Sequence, residues 1–170
     1  IKVGLTLSLH DIQAQPGGEE NAAREWWEEF THYLPAIESD DFLGVQNYTR
    51  SRIGANGILP NEAGAETTQM DYEFYPQGLE AVIRRVARKF HGELIVTENG
   101  IATADDTRRI AYIDLATQGV ARCITDGILW RWTGAPWPGR RRRVYTTLGI
   151  FASERTARYV LLNGDYSQVQ

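Results

Sequence analysis

Short apolar runs alternate with longer stretches of helical period through most of this sequence, and that alternation restricts the fold more than any other feature. Val3 to Leu9, Phe42 to Val45 and Leu94 to Val96 read as buried strands. Residues 19–37, 77–90 and 110–124 read as helices. In 77–90, Leu79, Val82, Ile83, Val86 and Phe90 share one face. In 19–37, Trp26, Trp27, Phe30 and Leu34 fall at helical spacings, so at least one of the two tryptophans is expected in the core. Between these elements, 10–18 reads as a loop punctuated by Pro16-Gly17-Gly18, and 50–70 as a long loop with Gly54, Gly57, Pro60 and Gly64. Asp105 and Asp106 stand where a helix would begin, and negative groups suit that positive end. Repeated strand–loop–helix units predict an α/β protein with a parallel sheet.

Composition narrows the partners. The 170 residues suffice for one domain with a core, and the net charge of −4 gives no general attraction to nucleic acid. No apolar stretch reaches the roughly 18 residues that suggest a membrane span. Cys123 is the single cysteine, so no internal disulfide forms; a reducing, cytoplasmic setting is expected and the thiol reads as inert helix filler. The chain opens at Ile1 inside an apolar alternation, as a piece of a longer polypeptide would. No metal or other cofactor is expected. His10 and His32 lack ligand spacing with the cysteine or with paired carboxylates. Glycine-rich phosphate loops and Ser-His-Asp arrangements are missing from the sequence. Arg140 to Arg143 reads as a solvated loop in an acidic chain.

One strand ends in a carboxylate. Leu94-Ile95-Val96 runs into Thr97-Glu98-Asn99-Gly100. A glutamate after a strand is by itself most often a capping or surface residue. In a parallel α/β barrel, however, functional groups gather at the C-terminal ends of the strands. Here the residues carry a resemblance. "LIVTENGI" (94–101) resembles the nucleophile signature of family-one glycoside hydrolases, the beta-glucosidase group. "KVGLTLSL" (2–9) is similar to that family's fifth barrel strand, and "DDFLGVQNYTR" (40–50) to its sixth strand with the Asn-Tyr element. "MDYEFYPQGLEAVIRRV" (70–86) is similar to the stretch before the seventh strand, and "RRIAYIDLATQGVARCITDGI" (108–128) to the helix after the nucleophile. Order and spacing agree across residues 2–128.

The resemblance implies a partial (β/α)8 TIM barrel holding about the last four strand–helix units, in a single domain over 1–170. Too few strands to close a barrel leave open edges, through which self-association is expected. It implies a retaining beta-glycosidase, in which two carboxyl groups flank the glycosidic bond roughly 5 Å apart. Glu98 would be the nucleophile, and Tyr48 would orient it through its phenol. Gln46 would contact the sugar. Tyr72 stands where the family usually has a tryptophan near the leaving group, and would stack on substrate. The substrate would be a beta-linked sugar or an aryl or alkyl glycoside.

The sequence also departs from the family. The general acid/base belongs to a Thr-x-Asn-Glu-Pro motif that these 170 residues do not contain; Pro60-Asn61-Glu62 reverses part of it within a loop. Residues 128–147 lack the eighth-strand pattern, while "LGIFASERT" (148–156) is similar to a later strand. A shifted reading frame and strong divergence would both produce that gap. The isolated chain is therefore expected to be inactive. A non-catalytic carbohydrate-binding or interaction remnant of the same fold is the alternative.

Overall fold

The computed structural model describes residues 2–128. Three parallel strands form the main sheet: β1 (Gly4–Ser8), β3 (Phe42–Asn47) and β6 (Glu93–Asn99), ordered β1-β3-β6. Helices connect them. α1 (Glu19–Glu29) and the short α2 (Leu34–Ile37) lie between β1 and β3, α3 (Gly78–Ala87) precedes β6, and α4 (Asp106–Thr125) follows it. Each main strand thus sits beside its successor, as in consecutive units of a barrel. The described residues hold three such units. The expected fourth unit, and the segment 140–143, lie outside them.

Two sequence expectations need correction. The first is the continuous helix over 19–37. α1 stops at Glu29, a 3-10 turn covers Thr31–Tyr33, and α2 starts afresh. Pro35 is the physical reason, because proline has no N–H to give and fits only a helix's first turn. The second correction concerns the two loops. Residues 10–18 contain β2 (Asp11–Ala14), and 50–70 contain β4 (Arg50–Gly54) and β5 (Gly57–Ile58). β2 and β4 pair in parallel, and β4 turns back on β5 in a tight antiparallel hairpin. This small sheet, ordered β2-β4-β5, continues the chain direction of β1 and β3.

The core lies between the main sheet and the helices. Leu43, Val45, Leu94 and Val96 turn one face of the sheet to the helices and are fully buried. Leu79, Val82, Ile83 and Val86 of α3 pack into the same cluster, which also takes in Tyr112, Ala116 and Val120 of α4. Burying an aliphatic side chain of this size contributes about 1.5–3 kcal/mol. Trp26 is buried and Trp27 exposed, so one tryptophan is core. Arg85 lies over the Trp26 ring, 4.0 Å from its centroid, and donates to the Ile12 carbonyl, tying α3 to β2. Asp105 caps α4 by accepting from the Thr107 amide at 2.8 Å. Cys123 is buried on α4, and burial pushes its thiol up to about 11, so it stays protonated at neutral pH. No helix among the described residues is long and apolar enough to cross a membrane.

Candidate active site

The opposite face of the main sheet carries Thr6, Gly44 and Gln46 (Thr6↔Gly44 and Ser8↔Gln46 are paired). A Cβ on Gly44 would meet the Thr6 hydroxyl at 2.3 Å, so these strands leave no room for a side chain there. Glu98 should not belong to this face. Side chains alternate along a strand, and Leu94 and Val96 point to the helices, so Glu98 would follow them into the core. The observed register avoids this. Val45 pairs with Val96, but Gln46 pairs with Glu98, leaving Thr97 as an extra residue in β6. That one-residue bulge turns Glu98 to the side of Gln46 and sends Asn99 to the buried side, opposite Asn47.

A second irregularity lies beside the first. Between the ladders Ser8↔Gln46 and Asp11↔Arg50, two residues (Leu9, His10) face three (Asn47, Tyr48, Thr49). Tyr48 occupies the middle of that longer side, and its phenol donates a short hydrogen bond to Glu98 Oε2. Burial, then the hydrogen bond and charge of Glu98, push the Tyr48 phenol well above the usual tyrosine range. At neutral pH it is therefore protonated and acts as the donor.

Around these two residues, several side chains sit at defined positions to which the sequence assigned no site role. Tyr112 is buried on α4, and its hydroxyl donates to the Tyr48 carbonyl at 2.8 Å. Asn99 Nδ2 donates to the Asn47 carbonyl at 2.7 Å, and Asn47 Nδ2 donates to the carbonyls of Leu9 (2.8 Å) and Thr49 (2.9 Å). Tyr112 had only a signal of helical periodicity, which reads as core. Asn47 and Asn99 had the signal of standing beside Tyr48 and Glu98 in two recognisable stretches.

Of the sequence-predicted residues, Glu98, Tyr48 and Gln46 come together at the C-terminal ends of β3 and β6. Tyr72 stands apart from them in the loop before α3, part of a cleft lined also by His10, Thr49, Arg50, Ile58 and Glu73. Tyr72 is close enough for its charge to raise the Tyr48 phenol further. Two ion pairs brace this cleft. His10 holds Glu29 at 2.7 Å, and that hydrogen bond raises the imidazole's pKa above its ordinary 6.5. Arg50 grips Glu73 with two nitrogens at 2.7 and 2.8 Å and lies over the Tyr75 ring. Among the described residues, no group of three or more His, Cys, Asp or Glu side chains is arranged to hold a metal ion.

The chain as a whole resembles known proteins. The sequence profile described as Glycosyl hydrolase family 1 matches residues 22–131, more than half of the chain. The chain belongs to that family. It is similar to the beta-galactosidase of Saccharolobus solfataricus, at 30% identity over 51% of this chain and 21% of that one. It is also similar to 6-phospho-beta-galactosidase 1 of Streptococcus pneumoniae, at 30% identity over 42% of this chain and 18% of that one. The crystal structure of beta-glycosidase BGL167 superposes with a TM-score of 0.72 at 42% identity, covering 86% of this chain and 32% of that one. The beta-glycosidase from Pyrococcus horikoshii gives 0.69 at 25% identity, covering 85% and 38%. The fold is therefore part of a (β/α)8 barrel. The chain spans about a fifth of the length of the curated relatives it matches, and about a third of the similar solved structures.

Proposed function

We propose that this chain forms the nucleophile-bearing part of a retaining beta-glycosidase. A Glu98 carboxylate oxygen attacks the anomeric carbon of a beta-linked sugar or an aryl or alkyl glycoside. A carbon–oxygen ester bond forms while the glycosidic bond breaks, and the departing oxygen takes a proton from a second carboxylic acid. Water then displaces Glu98 from the sugar, giving its proton to the same acid group. Tyr48 holds the attacking carboxylate in place. Gln46 faces the same side of the sheet as Glu98 and serves as a sugar contact, while Tyr72 offers an aromatic face on the leaving-group side.

The observation that carries this reading is the Tyr48–Glu98 hydrogen bond at the ends of adjacent parallel strands. No ordinary core or capping glutamate needs a bulge to turn it outward and a half-buried phenol to hold it. The second acid is the part that these 170 residues do not supply by motif. General acid help is worth about 10²–10⁴ in rate, and loss of orientation costs more. The isolated chain should therefore leave an unactivated disaccharide intact.

The test is made in a polypeptide that carries both carboxylates. Glu98→Gln should abolish hydrolysis with folding retained. A slow-reacting fluorinated glycoside should leave its mass on the peptide containing Glu98. Hydrolysis by Glu98→Gln at the parent rate, or a label on another carboxylate, would remove Glu98 from this role.

A further inference from the structure

The backbone around Tyr48 is held in an unusual way. Where two residues face three, the regular ladder is interrupted, although Thr49 O still accepts from the Asp11 amide at 3.3 Å. Three successive carbonyls are then met by side chains. Asn47 O accepts from Asn99 Nδ2 at 2.7 Å, Tyr48 O from the Tyr112 hydroxyl at 2.8 Å, and Thr49 O from Asn47 Nδ2 at 2.9 Å. All three donors are buried, and they come from three different elements, β6, α4 and β3. A buried amide or hydroxyl aimed at a carbonyl is costly to leave unpaired, so each contact resists displacement of the segment.

The geometry points to Tyr112, Asn99 and Asn47 as a clamp on the 47–49 backbone that fixes the Tyr48 phenol against Glu98, with Tyr112 a positioning residue for the site. This rests on the proposed role of Glu98 and Tyr48. The physical case is one of lever and pivot. Tyr48 side-chain direction is set by its own backbone, and Tyr48 O is the atom Tyr112 holds. Tyr112 is itself immobilised by an edge-on contact with Phe74, ring centroids 5.4 Å apart at 89°. Without the Tyr112 hydroxyl, the Tyr48 carbonyl is a partly buried acceptor lacking that donor. The peptide then turns to find another, and the phenol swings with it. A misplacement of about 1 Å in a catalytic group is enough to cost on the order of 10²-fold in rate.

The test uses the 170-residue chain with 3-fluorotyrosine at position 48, whose 19F shift reports ionisation of that phenol. Fluorination makes the phenol more acidic and so lowers the pH at which it titrates. Glu98 and Tyr72 are titrating groups whose charge acts on it, and Tyr112 is a third phenol in charge contact with it. Three variants are compared: Glu98→Gln, Tyr112→Phe and the two combined. Glu98→Gln should lower the apparent pKa by removing the negative partner. Tyr112→Phe should lower it by about 0.5 unit or more, because the phenol leaves that partner. The double variant should fall no further than Glu98→Gln alone, since both act through one contact. Should Tyr112→Phe unfold, Asn99→Ser releases the neighbouring carbonyl and should move the titration in the same direction. A purely structural Tyr112 would lower the melting temperature and leave the titration where it was, and that result overturns the clamp. A titration insensitive to Glu98→Gln would instead overturn the Tyr48–Glu98 contact, and with it the functional reading.

Discussion

Deleting Thr97 should be nearly harmless, although it stands beside the proposed nucleophile. The register has Val45 opposite Val96 and Gln46 opposite Glu98, so Thr97 is the one residue of this stretch with no partner in β3. Its removal closes the bulge and leaves both pairs in place. The interaction lost is a marginal 3.4 Å approach of Thr97 Oγ1 to the Val45 carbonyl, worth under about 1 kcal/mol. Deleting Val96 instead makes the matched comparison. The strand reaches the same shortened register, but Thr97 now occupies the buried position opposite Val45. That variant loses a valine with 2% exposure and gains a buried hydroxyl. The difference between the two deletions is therefore that of a buried Val→Thr exchange, about 2–3 kcal/mol. Urea unfolding followed by circular dichroism resolves it, since m-values of about 1–3 kcal/mol/M turn that difference into roughly 1 M or more between midpoints. Equal midpoints, or a Thr97 deletion that is the worse of the two, would refute the bulge as the device that turns Glu98 outward.

Two further outcomes follow from the braces of the cleft. Glu73→Gln keeps the shape but leaves the largely buried Arg50 guanidinium without its carboxylate, and should cost about 2–3 kcal/mol in the same urea assay. His10 has its pKa raised by Glu29, so its protonated form is favoured in the folded chain. The stability it contributes is complete below the unfolded value of 6.5 and is lost as pH rises through the higher folded value. Unfolding midpoints should accordingly decline as pH rises above 6.5 and through the raised folded value, and Glu29→Gln should flatten that decline.

The main strands and the helices were legible because their signals are local. Leu79, Val82, Ile83 and Val86 repeat at the helical period, and Leu94-Ile95-Val96 is an apolar run of strand length. β2 and β4 carried no such signal. Each has one fully buried aliphatic residue, Ile12 or Ile53, among Asp, Gln, Arg and Ser, with glycines close by. Their pairing is set by β1 and β3 delivering them side by side, which is tertiary information. The bulge at Thr97 was hidden for the same reason, because a register exists only between two strands. Pro35 was legible and bore directly on the helix expected over 19–37. For Tyr112, an aromatic at a core position of α4 looks the same in sequence whether or not its hydroxyl has a carbonyl to hold.

The parallel pair β1–β3 does not end where a barrel strand ordinarily gives way to a loop. It forks onward as β2–β4, with β5 folded back against it. The rim on this side is therefore a stiff, hydrogen-bonded wall rather than a set of pliant loops, and the entropy of ordering it is lost during folding, before any ligand arrives. Diversification in barrel enzymes usually proceeds by loop replacement at this end. Among the described residues, the β4–β5 turn at Ala55-Asn56 and the exposed stretch around Glu62 to Gly64 keep that freedom. A lineage built on this wall would change its preferences by exchanging side chains such as Ile58 and Tyr72 in place, while the outline of the entrance stayed the same.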